Sequence, residues 1–308
     1  ILERMMDLAA RELGMDPAEI RRRNFPAKAE FPFPTSAGLT YDSGDYHGTL
    51  DKALQKADYA GMRRQQAEAR KQGRHLGVGL STYVEICGMG PSAALGGQGW
   101  ESARVRVEPT GKVTVFSGAS PHGQGQETSF AQIAAEGLGV AVEDVEVIHG
   151  DTDVVPYGVG TFGSRGTVVG GSAVVFARDK VRAKMARFAA LRFEADPADI
   201  AFEDGKVFVR GAPEKSAPFA QIARMAYDAI RLPAGTEPGL EETHFFEPPN
   251  FTFPFGAHVV LAEVDPQTGE VKILRYVAVD DVGNMINPLL VRGQIRQGQL
   301  VRELEGQV

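Results

Sequence analysis

The sequence predicts an α+β fold of two subdomains, each a mixed β-sheet covered by helices. Three observations lead to this fold class. The chain is helical up to about residue 75 and rich in strands after it, and each later half carries a β-hairpin with helices beside it. A chain of 308 residues is also long enough for two domains or one large one, and its 43% of hydrophobic residues is ordinary for a globular protein. The predicted boundaries are a helical lead-in and extended connection at 1–75, a first subdomain at 76–195 and a second at 196–308.

The first 75 residues carry helix signals around an extended stretch. Apolar residues at helical spacing predict a helix over 1–13, with Gly14 just past its end. Asp16 and Pro17 are typical of the start of a second helix. Residues 25–47, rich in Pro, Gly and aromatics, predict an extended connection, and residues 49–72 predict one further helix.

After residue 76 the pattern changes to strands. Strands are predicted at 76–86, 103–108, 112–117 and 145–148, with a helix over 128–138. A long loop at 149–167 precedes a long helix over 168–192. The second half predicts a short strand at 207–209, a helix over 217–229, a proline-rich loop over 231–255, and a hairpin of 257–264 with 271–279.

Composition excludes several classes of protein. The net charge is −7, and the one basic run, residues 21–23, has acidic neighbours, which favours a solvated helix face over nucleic-acid binding. Cys87 is the only cysteine, so internal disulfides, a Cys-rich zinc site and an all-protein iron–sulfur cluster are excluded. No apolar window is long enough for a membrane span, and no signal peptide is visible, so the expected location is the cytoplasm. The six histidines form no i,i+4 pair, and no protein metal site is predicted.

Two familiar sequence motifs are excluded by the residues around them. Gly158, Gly160 and Gly163 match the string of the dinucleotide fingerprint, but no strand ends directly before them. Ser164 lacks a glycine two residues before it, so it is not a nucleophile elbow.

A first loop, residues 120–128 (Ser-Pro-His-Gly-Gln-Gly-Gln-Glu-Thr), lies between a predicted strand and a predicted helix. Its glycines allow close approach of backbone to a ligand, and the helix start presents unpaired N–H groups. Gln124 and Gln126 offer amide donors and acceptors suited to a flat heterocycle with ring N–H and C=O groups. The alternative is a glycine-rich turn that only caps the helix, and the residues alone leave both open.

A second loop, residues 157–167 (Tyr-Gly-Val-Gly-Thr-Phe-Gly-Ser-Arg-Gly-Thr), also leads into a helix. Small residues, hydroxyl groups and Arg165 have the composition of a phosphate cradle. The alternative is an ordinary capping loop with Arg165 on the surface. Together the two loops could hold opposite ends of one planar, phosphorylated cofactor.

These stretches resemble the molybdenum hydroxylases, the molybdopterin subunits of the xanthine dehydrogenase, aldehyde oxidase and aerobic carbon monoxide dehydrogenase group. The similarity is nearest to the carbon monoxide dehydrogenase large-chain type and covers almost the whole chain, to about Gln294. The matching segments are 9–17, 22–24, 83–85, 122–140, 150–153, 160–165, 249–254, 263–265 and 279–288.

The resemblance implies a molybdenum–molybdopterin cofactor, commonly in the cytosine dinucleotide form in bacteria. It implies oxidative hydroxylation of an aldehyde, an N-heterocycle or carbon monoxide with oxygen from water. Electrons would leave through an iron–sulfur subunit and an FAD-binding subunit. By motif, the cofactor-binding residues implied are His122, Gly123, Gln124, Gly125, Gln126, Thr161, Phe162, Gly163, Ser164, Arg165, Thr167 and Gln294.

The departures from the family suggest an interior fragment that is inactive alone. The family's catalytic glutamate belongs to a Gly-x-Gly-Glu stretch expected beyond Val308, so no catalytic residue is predicted here. Residues 296–300 break the family pattern, and Glu303 and Glu305 are expected to be solvated helix charges. The rival hypothesis is a non-catalytic scaffold or interaction domain, in which Gln124→Ala and Ser164→Ala leave every ligand property of the full subunit unchanged.

Overall fold

A computed structural model describes residues 1–228 and 230–305. Within them, the α-helices are α1 (Leu2–Glu12), α2 (Pro17–Arg23), α3 (Tyr46–Ala57), α4 (Tyr59–Lys71), α5 (Ser92–Leu95), α6 (Gln126–Leu138), α7 (Ser172–Phe193), α8 (Phe219–Asp228) and α9 (Pro288–Glu305). The strands are β1 (Phe33–Pro34), β2 (Thr40–Tyr41), β3 (His75–Val84), β4 (Glu101–Val107), β5 (Val113–Ser117), β6 (Val145–His149), β7 (Ile200–Glu203), β8 (Lys206–Val209), β9 (Ala212–Pro218), β10 (Glu241–Phe246), β11 (Phe255–Val264) and β12 (Val271–Asp281).

The chain forms two compact units that differ from the division predicted at 75/76 and 195/196. The first unit joins residues 1–87 to 251–308, and the second is Gly88–Asn250. The difference arises because β3 pairs over its full length with β11, which lies far along the chain. Residues 75–84 therefore belong with the C-terminal hairpin. No helix in the part of the chain that the structure describes is long and apolar enough to cross a membrane.

The first unit is built on an antiparallel sheet of order β12-β11-β3. Along β11, Ala257, Val259 and Leu261 are buried, with the period of two that places alternate side chains on one face. Helices α3 and α4 pack on the sheet. The predicted hairpin at 257–264 and 271–279 is present, and it is two residues longer at its first and last ends. The core residues of this unit are Ala18, Leu50, Ala53, Ala57, Met62, Ala69, Leu76, Leu80, Ala257, Val259 and Leu261.

The single helix predicted over 49–72 is two helices, because Asp58 interrupts it. Asp58 has a left-handed backbone (φ 50°), and its side chain accepts a hydrogen bond from the Gly61 N–H at 3.1 Å. Asp58 thus ends α3 and caps α4, a position for which aspartate is well suited.

The solvated face predicted for residues 21–23 is wrong for Arg21, whose side chain is 1% exposed. The Arg21 guanidinium donates to Glu3 Oε2 at 2.8 Å and to Asp7 Oδ1 at 2.9 Å, both on α1. Burial of this cation is tolerated because two carboxylates and two backbone carbonyls satisfy it. Arg21 therefore fastens α2 to α1.

A polar network links the three strands of this sheet. Tyr83 on β3 donates to Asp280 Oδ1 on β12 at 2.6 Å, and His258 Nε2 on β11 lies 3.2 Å from the same oxygen. His258 Nδ1 lies 2.9 Å from the Tyr276 hydroxyl. Burial raises the pKa of Asp280, but the hydrogen bonds from His258 and Tyr83 and the His258 charge outweigh it and leave that pKa below its usual range.

We expect Asp280→Asn to remove part of the acid sensitivity of the first unit. A carboxyl group with a lowered pKa in the folded state stabilises that state above its unfolded pKa of about 3.9, and loses this contribution as pH falls through the folded pKa. The variant is therefore expected to be less stable than the wild type near neutral pH, with the difference shrinking below about pH 4. Denaturant unfolding of the full-length protein at several pH values measures it. Glu270→Gln, an exposed carboxyl on the same hairpin, is the control; a pH-independent difference would contradict the assignment.

The second unit is built on a mixed sheet of order β10-β4-β5-β6, in which β5 and β6 are parallel. Helix α6 packs on β6, and α7 packs on β4 and β10. The core lies between sheet and helices and includes Val105, Val115, Phe130, Met185 and Phe188. A π-helical turn, Gly166–Gly171, leads directly into α7, so the long helix predicted from 168 is α-helical only from Ser172.

Sequence reasoning missed three strands in this unit. The predicted short strand at 207–209 is the centre of a meander of β7, β8 and β9. The proline-rich stretch 231–255, predicted to be a loop, contains β10, which pairs with β4 over six residues. Helix α8 ends at Asp228 as described, and residue 229, predicted as its last, lies outside the described residues.

Candidate functional site

Both loops leave the same edge of the sheet in the second unit. Strands β5 and β6 are parallel, and their last residues, Ser117 and His149, are partners in the register. The chain after each strand is therefore at the carboxyl end of the sheet, where α/β proteins bind ligands. Residues 118–125 lead from β5 into the first loop and α6, and residues 150–165 lead from β6 through the second loop to the π-helical turn.

The two loops meet backbone to backbone at their bases. A Cβ placed on Gly158 would fall closer than 3.0 Å to the Gly118 backbone, and one placed on Gly118 would meet the Gly158 Cα equally closely. The Ser102 hydroxyl also donates to the Tyr157 carbonyl beside this contact. Glycine at 118 and 158 therefore allows the loops to lie against each other.

Gln126, Thr161 and Gly166 lie close together between the loops. Gln126, the first residue of α6, is 3% exposed, and a Cβ on Gly166 would collide with its Nε2 and lie 3.5 Å from Thr161 Oγ1. Gln126 Oε1 and Thr161 Oγ1 are both buried without a hydrogen-bond partner. Such atoms are costly to leave unpaired, so they mark a place where a polar ligand fits.

The first loop also reaches the second through His122. His122 Nε2 lies 3.0 Å from the Thr161 carbonyl, and Gln124 Oε1 accepts a hydrogen bond from the His122 N–H at 2.5 Å. Gly123 and Gly125 have left-handed backbones, with φ of 95° and 80°. The predicted residues 122–126 are thus brought together with Thr161, although the Gln124 amide oxygen is engaged within its own loop.

The tip of the second loop is exposed and tightly curved. Gly163 and Ser164 both have φ of 52°, and Phe162 is 47% exposed. The carbonyls of Gly163 and Ser164 accept hydrogen bonds from the Met89 and Gly88 N–H groups. Thr167 is exposed on the π-helical turn.

Arg165 has a different role from the one that its motif suggested. Its side chain is 1% exposed, so it is not on the surface, and its guanidinium lies 2.9 Å from the buried Glu101 carboxylate. The remaining guanidinium N–H groups donate hydrogen bonds to the carbonyls of residues 89, 99, 100 and 160. The backbone N–H of Arg165 donates to the Phe162 carbonyl. Arg165 therefore has no donor left for a phosphate.

Glu101 is the residue of this site that sequence reasoning missed. It is completely buried at the start of β4 and accepts hydrogen bonds from Val159 N, Gly160 N and Ser102 N at 3.1–3.3 Å. Burial raises the pKa of Glu101, while these N–H groups and Arg165 act in the opposite direction. A charged residue leading into an apolar strand was the only signal in the sequence.

Gln294 was predicted as a further cofactor-binding residue. It lies on α9 in the first unit, where it is exposed. The side chains of Glu303 and Glu305, predicted to be solvated, lie outside the described residues. Within the described residues, no cluster of three or more His, Cys, Asp or Glu could hold a metal ion.

The site therefore has two glycine-containing loops, two unpaired buried oxygens and several exposed backbone turns. Unpaired oxygens match a ligand with N–H or other donor groups, and the collision at Gly166 shows that the buried contact admits no side chain there. These residues fit a flat polar heterocycle. They do not supply a free arginine for its phosphate.

Comparison with known proteins gives a consistent family. Residues 52–300 match the family model of the molybdopterin cofactor-binding domain. The chain is 43% identical over 304 residues to the carbon monoxide dehydrogenase large chain of Hydrogenophaga pseudoflava, covering 97% of this chain and 38% of that protein. It is 40% identical over 301 residues to the nicotine 6-hydroxylase large subunit of Paenarthrobacter nicotinovorans, covering 96% of this chain and 37% of the relative.

A solved structure agrees with the sequence relatives. The reconstituted carbon monoxide dehydrogenase from Oligotropha carboxidovorans matches with a TM-score of 0.90 at 38% identity, over 96% of this chain and 38% of that one. The chain thus spans less than two fifths of the length of these relatives, and its fold agrees with the predicted α+β class. From the matched residues and the fold together, the chain belongs to the molybdopterin cofactor-binding domain family of the carbon monoxide dehydrogenase and xanthine dehydrogenase large subunits.

Proposed function

We propose that the two loops of the second unit hold the pterin part of a molybdenum–molybdopterin cofactor. The observation that carries the proposal is the pair of unpaired buried oxygens, Gln126 Oε1 and Thr161 Oγ1, between the loops. A pterin offers ring N–H donors to such acceptors. Of the predicted residues, His122, Gly123, Gln124, Gly125 and Gln126 would contact the cofactor from the first loop. Thr161, Phe162, Gly163, Ser164 and Thr167 would contact it from the second.

In the proposed full-length enzyme, the bound cofactor supplies oxidative hydroxylation of an aldehyde, an N-heterocycle or carbon monoxide, with oxygen taken from water. The residues of this chain do not perform that chemistry. They bind the cofactor, orient it through Gln126 and the loop backbone, and shield one side of it from water. Preorganised contacts of this kind fix a reactive group without a cost of rearrangement during the reaction.

The finer features of the complex are also proposals. We propose the cytosine dinucleotide form of the cofactor, and electron transfer to an iron–sulfur subunit and an FAD-binding subunit. The relatives support a complex because they are described as a large chain and a large subunit. We propose a cytoplasmic location because the chain has one cysteine and therefore no internal disulfide. Gln294 remains a proposed cofactor contact on the strength of its motif.

Gln126→Ala is expected to lower the cofactor content of the full-length subunit. Each lost buried hydrogen bond weakens binding by about 1–3 kcal/mol, which is about tenfold to a hundredfold in affinity. The measurement is molybdenum and pterin content per chain after purification from cells that make the cofactor. Gln221→Ala, at an exposed position on α8 of the same unit, is the matched control and should keep both.

The scaffold hypothesis makes the opposite prediction for this experiment. If the loops only cap helices, Gln126→Ala and the wild type will purify with equal molybdenum and pterin. The unpaired oxygens favour the cofactor, since a capping loop has no need of an unsatisfied buried amide.

A further inference from the structure

Glu101 and Arg165 form a buried ion pair outside the hydrophobic core, and only Arg165 was among the predicted ligand contacts. The Arg165 Nη1 to Glu101 Oε2 distance is 2.9 Å, and the two side chains are 1% and 0% exposed. Taking two charges out of water is costly, and a buried pair often stabilises a fold no better than apolar residues of similar volume. The hydrogen bonds that the two side chains make with the backbone indicate a role other than stabilising the core.

Arg165 ties together three separate segments. Its Nε donates to the Met89 carbonyl at 2.8 Å, its Nη1 also donates to the Gly160 carbonyl at 2.8 Å, and its Nη2 donates to the Trp100 carbonyl at 2.8 Å. Because the guanidinium is planar and rigid, these bonds fix the segments relative to one another.

Glu101 holds the second loop from the opposite side. Its Oε2 accepts from the N–H groups of Val159 and Gly160 at 3.2 and 3.3 Å, while its Oε1 lies where a Cβ on Gly118 would be. The carboxylate therefore contacts the base of the first loop and the base of the second. Both loops are therefore positioned against the same buried carboxylate, that of Glu101.

These contacts restrain the segment 161–164, which lies between Gly160 and Arg165. Gly160 is bonded through its N–H and its carbonyl, and Arg165 through its side chain and its N–H, so both ends of the segment 161–164 are held. This segment carries Thr161 and the two left-handed residues, Gly163 and Ser164. The contacts that hold its two ends are all made by residues of this chain.

We infer that Glu101 and Arg165 are positioning residues whose ion pair pre-forms the second loop for the cofactor. The inference rests on the proposed function for the identity of the ligand, and on the contacts above for the mechanism. If the formed loop becomes a minor state, apparent affinity falls by the fraction that remains formed, so a loop formed about one tenth of the time binds about tenfold more weakly.

The test is Glu101→Gln in the full-length subunit, measured by hydrogen–deuterium exchange of the cofactor-free protein. Glutamine keeps the size and one acceptor oxygen but removes the charge. We expect exchange within 157–166 to rise by about tenfold or more, with α7 and β5 unchanged, since local opening need not involve the core. Unchanged exchange in 157–166, or an equal rise throughout the second unit, would overturn the inference, because either result assigns the pair no particular role in the loop.

Two further variants complete the design. Glu241→Gln breaks the partly exposed Arg106–Glu241 pair of the same sheet, and should leave 157–166 unchanged. Arg165→Lys keeps the positive charge but lacks the planar guanidinium with its several donors. This variant is measured in the same way if Glu101→Gln does not fold. Because exchange is read without cofactor, its result stands apart from the molybdenum and pterin content that tests the proposed function.

Discussion

Gly166→Ala is expected to weaken cofactor binding while leaving the fold of the second unit in place. The new Cβ would collide with Gln126 Nε2, which is the far end of a flexible side chain and can move aside. The backbone of Gly166 is not left-handed, so alanine is not strained there. The Gln126 amide, however, would be displaced from its position beside Gly166, and we expect at least about a tenfold loss of affinity, as for the loss of a buried hydrogen bond.

Gly171→Ala is the matched control, since it lies on the same π-helical turn. Its Cβ would have its nearest contact at 3.4 Å from Ile133 Cδ1, which is ordinary van der Waals distance. Molybdenum and pterin content per chain should be lower in full-length Gly166→Ala than in Gly171→Ala. Equal cofactor in the two variants would show that Gln126 does not contact the ligand.

Phe188→Ala is expected to destabilise the second unit by about 3–5 kcal/mol, the usual cost of removing a buried phenylalanine. Phe188 lies on α7, is completely buried, and belongs to the core between the helices and the mixed sheet. For a unit of this size the loss lowers the melting temperature by about 10 °C. Calorimetry of the full-length protein should show the decrease in one transition, because the first unit has its own core.

Phe176→Ala on the same helix provides the comparison. Phe176 is 44% exposed and stacks on Phe246 with 5.5 Å between ring centroids. We expect the variant to cost less than Phe188→Ala, because the Phe176 side chain is already partly exposed and has less buried area to lose. A similar cost for both variants would contradict the placement of the core.

Local patterns predicted much of the fold. The hairpin of β11 and β12, the helix after the first loop, and the position of each loop between a strand and a helix follow from periodicity and turn residues. The missed strand β10 has the sequence Glu-Glu-Thr-His-Phe-Phe, which is too polar to signal a strand by itself. It is a strand because β4 offers an edge, which is information from elsewhere in the chain.

In the candidate site, too, local sequence patterns predicted some features and missed others. Glycines and glutamines at 122–126 indicated a ligand loop, and the structure brings that loop to Thr161. The roles of Arg165 and Arg21 were not predictable, because each depends on acidic partners distant in the sequence. The partner of Arg165 is 64 residues away, and the two partners of Arg21 are 14 and 18 residues away. A motif indicates which residues are present at a loop, whereas burial and pairing decide which of them remain available to a ligand.

The molybdenum and pterin content of the full-length subunit tests the central claim most directly. The wild type and Gln126→Ala should be purified side by side from cells that make the cofactor and are supplied with molybdate. The wild type should carry both molybdenum and pterin, and Gln126→Ala should carry less of both per chain while remaining folded. A wild type without either, or a Gln126→Ala variant that keeps both, would contradict the assignment of the two loops as the cofactor site.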